Sequence, residues 1–275
     1  MSPAPLILLG CGFTGTAALR LAVARGTPVL AVTRSAEHAA ALTALDFPAR
    51  ATGPLTAEVA RALVPAGAHV LIAFPPAGAD AAIAPALEHA AAVVYISSTG
   101  VYGEASGHID EDTPVDPSSP RAAPRLAAED AYRAVGAVIL RASAIYGPGR
   151  GLHLRLLRGE HRLTGDGHNV ISRIHVDDLA RLALAALERA TPGAVFNVAD
   201  DTPVPQLEVV TWLCQRLGLP LPESAPAREV PDTLRHDRAV DGGRIQRALG
   251  VTLAYPDYRA GFEACLAADG CAGDR

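Results

Sequence analysis

This chain contains no lysine; all 24 of its basic residues are arginines. Any mechanism that needs a catalytic lysine is thereby excluded, because a guanidinium keeps its proton throughout the working range. Aromatic residues are also scarce, at 4%, so a core must be built mainly from aliphatic side chains. The four cysteines, Cys11, Cys214, Cys265 and Cys271, show no C-x-x-C spacing and no histidine cluster beside them. That argues against a zinc site or any other metal centre and against a disulfide framework, and it fits reduced thiols in a cytoplasmic protein. A basic excess is missing too: the formal net charge of −5 speaks against a nucleic-acid partner. No long apolar run is present either. Residues 1–9 lack a basic leader, and the Ala-rich stretch 66–96 is interrupted by Pro75, Pro76, Asp80, Pro85, Glu88 and His89. Neither a signal peptide nor a membrane partner is expected.

What the sequence does have is apolar bulk, 49% of 275 residues, enough for a sizeable core. Short β-type runs at 6–9, 28–33, 69–74, 93–97 and 137–141 alternate with helical patterns at 16–25, 36–45, 56–63, 81–91 and 125–135. A weaker strand is read at 49–52. This alternation predicts an α/β fold, a doubly wound parallel sheet of Rossmann type. After Gly147-Pro148-Gly149 the regularity weakens into a basic stretch (150–162), a helix (176–189), a strand (194–198) and a helix (205–217). A Pro-rich linker and terminal helices at 243–249 and 258–268 follow. The expected organisation is a nucleotide-binding domain over 1–148, to which helix 176–190 returns. A small C-terminal substrate-binding cap would comprise 149–175 and 191–275.

The first strand breaks into Gly10-Cys11-Gly12-Phe13-Thr14-Gly15, a G-x-G-x-x-G turn that opens a helix. Gly10 suits the tight turn, Gly12 a close backbone approach to a pyrophosphate, and Gly15 close helix–strand packing. The pyrophosphate would rest on the amides at the helix start, Cys11, Phe13 and Thr14 among them.

Further motifs follow in order: Tyr95 to Gly103 (YISSTGVYG), Leu140 to Arg150 (LRASAIYGPGR), Arg173 to Ala180 (RIHVDDLA) and Phe196 to Asp201 (FNVADD). With the glycine turn, they resemble the extended short-chain dehydrogenase/reductases, the NAD(P)-dependent epimerase/dehydratase superfamily. The resemblance runs from Leu6 to about Asp201. It implies a substrate cleft roofed by C-terminal segments, with the loops carrying Ala73-Phe74-Pro75, Ser98 and Tyr146 opening onto it. It implies a hydroxyl at Ser98 that bonds the substrate, with Thr99 and Tyr146 beside it. It also leaves room for a homodimer through helices 81–91 and 125–135.

One motif is broken. The family's Y-x-x-x-K precedes a helix beginning like Leu126-Ala127-Ala128-Glu129, and here its tyrosine and lysine positions hold Arg121 and Arg125. A phenol with a pKa near ~10 becomes useful near neutrality only beside a cation. Arg125 supplies the cation and can bind a ribose hydroxyl, but Arg121 cannot replace the phenol. Tyr102 is the nearest phenol in the Ser98 loop and is taken as the substitute acid/base, although a packing role in the V-Y-G turn is the blander reading. The resemblance therefore points to the atypical members that lack this motif.

The second strand ends Thr33-Arg34-Ser35, with no carboxylate to hold ribose hydroxyls. Arginine and hydroxyl donors suit a 2′-phosphate, so NADP is expected as cofactor, with NAD second. Arg150 and Arg173 fall where the family caps its cleft and are read as substrate-binding. His175 and Asp177 read as a helix start, and Asp110-Glu111-Asp112 as a solvated loop. The expected function is an NADP(H)-binding oxidoreductase or epimerase/dehydratase for a small polar or nucleotide-linked substrate. The alternative is a redox sensor or regulator that binds the cofactor without turnover.

Overall fold

Leu6, Ile7, Leu8 and Leu9 are all buried, as befits a strand covered on both faces. The computed structural model, which describes residues 4–271, places this strand near the middle of a seven-stranded parallel sheet. The first half of the chain supplies β1 (Leu6–Leu9), α1 (Phe13–Ala24), β2 (Val29–Thr33), α2 (Ala36–Thr43), β3 (Ala49–Ala51), α3 (Ala57–Leu63), β4 (His69–Ile72), α4 (Asp80–Ile83) and β5 (Ala92–Ser98). Next come β6 (Gly107–Ile109), α5 (Ala123–Ala134), β7 (Val138–Ala142), β8 (Ala144–Tyr146), α6 (Leu152–Leu157), β9 (Leu163–Thr164), β10 (Arg173–His175) and α7 (Val176–Arg189). The chain closes with β11 (Val195–Val198), α8 (Gln206–Leu217), β12 (Ser224–Ala225), β13 (Arg238–Val240), α9 (Gly243–Leu249) and α10 (Tyr258–Ala268).

The sheet order is β11-β7-β5-β4-β1-β2-β3. The strand order reverses between β1 and β4, which opens a crevice at their carboxyl ends, where ligands bind in such sheets. One face of the sheet is covered by α1, α7 and α9, and the other by α3, α4 and α5. A separate apolar cluster joins α6, α8 and α10.

Three expectations need correction. Residues 195–198 pair with β7 as an edge of the main sheet, and α9 packs on that sheet through Ile245 and Leu249. Both segments were assigned to the cap by the sequence pattern, which carries no record of a late strand returning to an early sheet. The helix read at 81–91 covers only Asp80–Ile83 before tightening into a 3-10 turn at Ala84–Leu87, because Pro85 removes a donor and crowds the preceding turn. The helix read from Thr16 begins at Phe13, inside the glycine motif.

His161, between α6 and β9, is 3% exposed, and neither ring nitrogen has a partner. Burial and the nearby Arg155 charge lower its pKa from 6.5 to about 4. The folded state therefore holds the ring neutral while the unfolded chain protonates it near 6.5. Its contribution is complete above pH 6.5 and drains as pH falls toward 4, by on the order of 3 kcal/mol. Urea unfolding between pH 7.5 and 4.5 should show this slope in the wild type and a flatter one in His161→Leu; identical slopes would refute the assignment.

Candidate active site

The crevice at the end of β1 is shaped by glycine. Gly10 has φ +90, and a Cβ there would press on Phe74 at 3.0 Å. A Cβ on Gly15 would run into the Gly10 carbonyl oxygen, so only glycine lets α1 sit this close to β1. Gly12, in contrast, faces open space. The result is a cleft of about 960 Å³ bordered by bare backbone at the start of a 12-residue helix, the arrangement that receives a phosphate. The residues present fit a dinucleotide.

Of the residues read as cofactor-binding, Gly10, Cys11, Gly12, Thr33, Arg34, Ser35, Ala73, Phe74 and Pro75 line this cleft. Phe13, Thr14 and Gly15 form the first turn of α1 behind it. Thr33 Oγ1 donates to the Ser35 carbonyl at 2.7 Å, and Ser35 Oγ caps α2 by accepting from the His38 amide. With the Thr33 proton turned to a local bond, the Ser35 hydroxyl proton and the exposed, cationic Arg34 remain as donors lining this cleft. Glu37, His38 and Thr52 also line the cleft and were not foreseen. His38 Nε2 lies 2.7 Å from the Cys11 carbonyl, fastening α2 to the glycine loop.

A second cavity, of about 400 Å³, opens beside the carboxyl ends of β5 and β7. Ser98, Thr99, Arg125 and Ser143 line it, together with Arg235 and His236 from the segment before β13. Ser98 Oγ accepts from the Gly100 amide at 3.1 Å, which leaves its own proton free to donate. Arg121, read from the sequence as standing at the position of the family's phenol, is ion-paired with Asp232. The guanidinium of Arg125 stands near the phenol of Tyr95, whose pKa burial drives far above the ordinary range while the Arg125 charge pulls the other way. His236 Nδ1 lies 3.3 Å from Arg238 Nη2, a permanent donor. Burial and this charge lower its pKa below the ordinary value, against an opposite pull from Glu104 and Asp232.

Four residues read as catalytic or substrate-binding lie elsewhere. Tyr102 is 1% exposed; its hydroxyl donates to Asn197 Oδ1 at 2.7 Å and accepts from Arg141 Nη1 at 3.2 Å. It points into a small apolar cluster, and burial raises its pKa further from neutrality, so it is a packing residue. Tyr146 is buried against Phe262, at a ring distance of 4.4 Å, with its hydroxyl over Gly261 of α10. Arg173 is 5% exposed and stacks 5.9 Å from the Tyr258 ring, near Asp200. Burial pushes the Asp200 carboxyl up to about 7 even with Arg173 pulling it down. Arg150 reaches the other way, lying 5.2 Å over the Phe13 ring at the start of α1. His175 caps α7, accepting from the Asp177 amide as expected of a helix start. Glu111 is not solvated: its side chain is 4% exposed, accepts from the Asn197 amide and pairs with Arg244.

Among the described residues no helix is long and apolar enough to cross a membrane. Comparison with known proteins agrees with this geometry. A reductase acting on 3-diazoavenalumate from a Streptomyces species is 32% identical over 176 residues, covering 56% of this chain and 58% of its own length. A dTDP-glucose 4,6-dehydratase of Streptomyces griseus is 32% identical over 194 residues, 64% of this chain and 58% of its own. The chain thus spans less than two thirds of these curated relatives. A functionally unknown conserved protein from Silicibacter pomeroyi superposes with a TM-score of 0.81 at 31% identity, covering 96% of this chain and 99% of that one. UDP-glucuronic acid 4-epimerase from Bacillus cereus, solved with NAD, shares the fold at a TM-score of 0.80 and 18% identity over 97% of this chain and 98% of its own. Residues 6–199 match the NAD dependent epimerase/dehydratase family, and the chain belongs to it.

Proposed function

We propose that this protein is an NADP(H)-dependent oxidoreductase acting on the carbonyl or hydroxyl group of a small molecule held in the 400 Å³ cavity. The observation that carries the reading is the placement of two cavities along one sheet edge. A cleft that fits a dinucleotide lies at β1 and β4, and a hydroxyl-lined cavity lies at the neighbouring β5 and β7. The nicotinamide, when bound, supplies or accepts hydride.

The chain's own residues orient the other half of the reaction. Ser98 donates its free proton to the substrate oxygen. His236 takes up the share of polarisation that the missing phenol leaves, since it alone among the cavity-lining side chains has an ordinary pKa near neutrality. With Nδ1 facing Arg238, its Nε2–H is the donor, and a neutral imidazole can polarise a carbonyl in this way. On reduction the resulting alkoxide takes its proton from solvent, and on oxidation the hydroxyl releases its proton there. Arg125 contributes a fixed charge, never a proton.

Preference for the 2′-phosphate rests on Arg34, opposed by the Glu37 carboxylate three residues on in the lining of the same cleft. A charge-assisted contact contributes about 1.5–3 kcal/mol, so Arg34→Ala should weaken NADPH binding roughly tenfold or more and leave NADH nearly unchanged. Glu37→Gln should move NADPH affinity the opposite way. Fluorescence titration reads both; equal affinity of the wild type for NADPH and NADH would overturn the assignment.

Once a substrate is in hand from an NADPH-consumption screen, Ser98→Ala and His236→Ala are each expected to lower kcat by about 10²–10³, as loss of an oxyanion donor does. Tyr102→Phe should keep kcat and lose about 1 kcal/mol of stability with its buried hydrogen bonds. A kcat loss in Tyr102→Phe larger than in His236→Ala would reverse the two roles. Tight cofactor binding without turnover across the screen would favour the sensor reading.

A further inference from the structure

The cavity wall has the opposite charge to the protein as a whole. The chain carries a net −5, yet the 400 Å³ cavity is lined by four arginines, Arg121, Arg125, Arg235 and Arg238, against two carboxylates, Glu104 and Asp232. These cations are not equivalent. Arg238 is spent on the carbonyls of Thr99, Gly103 and Ala105. Arg121 and Arg235 share the single carboxylate of Asp232. Arg125, half-buried on the first turns of α5, is matched by no carboxylate among the described residues.

A second, independent feature lines the same cavity. Ser143, which follows β7, is 6% exposed, and its hydroxyl has no hydrogen-bond partner. Buried hydroxyls normally have one. An unmatched guanidinium and an unsatisfied buried hydroxyl lining one cavity are complementary to an oxyanion, which takes a fork from arginine and a further bond from serine.

We infer that the substrate of this site is a compact oxyanion, a small organic acid or phosphate ester whose charged group binds Arg125 and Ser143 while its reacting oxygen lies at Ser98. This rests on the functional reading above and narrows it to a substrate class. Arginine at this position holds an anion bidentately, where a lysine would present a point charge. The arginines that the sequence pattern offered for this task, Arg150 and Arg173, are stacked on rings elsewhere.

The test is calorimetric titration of the NADPH-saturated protein with malonate, its neutral diamide malonamide, and inorganic phosphate. Malonate or phosphate should bind the wild type at least tenfold tighter than malonamide, and the tighter of the two assigns carboxylate or phosphate. Arg125→Ala should abolish that preference, Arg125→Lys should retain part of it, and Ser143→Ala should weaken the anion several-fold. Arg61→Ala, on the exposed face of α3, should change nothing. Equal binding of malonate and malonamide, or an anion preference that survives Arg125→Ala, overturns the inference. So does an Arg125→Ala protein that loses NADPH affinity but keeps the anion, since Arg125 would then serve the cofactor. Failure of the wild type to bind NADPH at all strikes the functional reading instead, and titration without cofactor then shows separately whether the anion site stands.

Discussion

A buried ion pair registers everything around the candidate active site. Glu129 of α5 and Arg141 of β7 meet at 2.8 Å with side chains only 2% and 9% exposed. Glu129 also accepts the hydroxyl of Ser97 on β5 at 2.5 Å, and Arg141 passes a hydrogen bond to Tyr102, which donates to Asn197 on β11. One chain of polar contacts therefore spans three adjacent strands, a helix and the loop after β5. Removing Glu129 or Arg141 would leave the other as an uncompensated buried charge, a loss of roughly 3–5 kcal/mol. Its consequence for the site is positional. Ser98 is the residue after Ser97, and Arg125 precedes Glu129 by four residues, about one helical turn. The two groups read as holding the substrate are thus carried on backbone that the pair fixes.

That network also explains why Tyr102 takes the packing position rather than lining the cavity. From sequence it is a phenol four residues past Ser98, within plausible reach of a substrate. In the fold, the 3-10 turn at Thr99–Tyr102 rotates it inward, where Asn197 and Arg141 supply its partners. Those partners lie 95 and 39 residues away, and no local pattern announces them. Tyr146 and Arg173 fail for the same kind of reason, since α10 closes over them from the far end of the chain. Where local chemistry decides the conformation, the reading holds. The glycine turn, the strands of the sheet and the cap of α7 at His175 are all recoverable from neighbouring residues alone.

The segment that completes the cavity was illegible for a different reason. Residues 219–231 are rich in proline and show neither helical nor alternating periodicity, so they read only as a linker. Yet β13 just beyond them pairs with β6, and Ser172 ties the two regions by accepting from the Val240 amide and donating to the Arg238 carbonyl. This places Arg235, His236 and Arg238 opposite Ser98. A single histidine and two arginines just past a linker carry no functional signal until that pairing is known.

Two arginines at the positions read as the family's tyrosine and lysine would do more than omit an acid. An ammonium can lower a phenol pKa and pass protons; a guanidinium can only stand as a fixed charge with directed donors. One of the two arginines here shares the Asp232 carboxylate with Arg235, whereas Arg125 has no carboxylate partner among the described residues. The cofactor cleft is indifferent to this exchange, because its anion recognition is built from glycine backbone and a helix start. The second cavity is not indifferent. Losing the titrating pair while keeping the charge shifts that wall from moving a proton toward gripping a ligand, and leaves polarisation of the reacting oxygen to neutral donors such as Ser98 and His236. On the proposed reading, the same substitution that removes the usual catalytic device leaves a fixed, fork-shaped cation for an anion to bind.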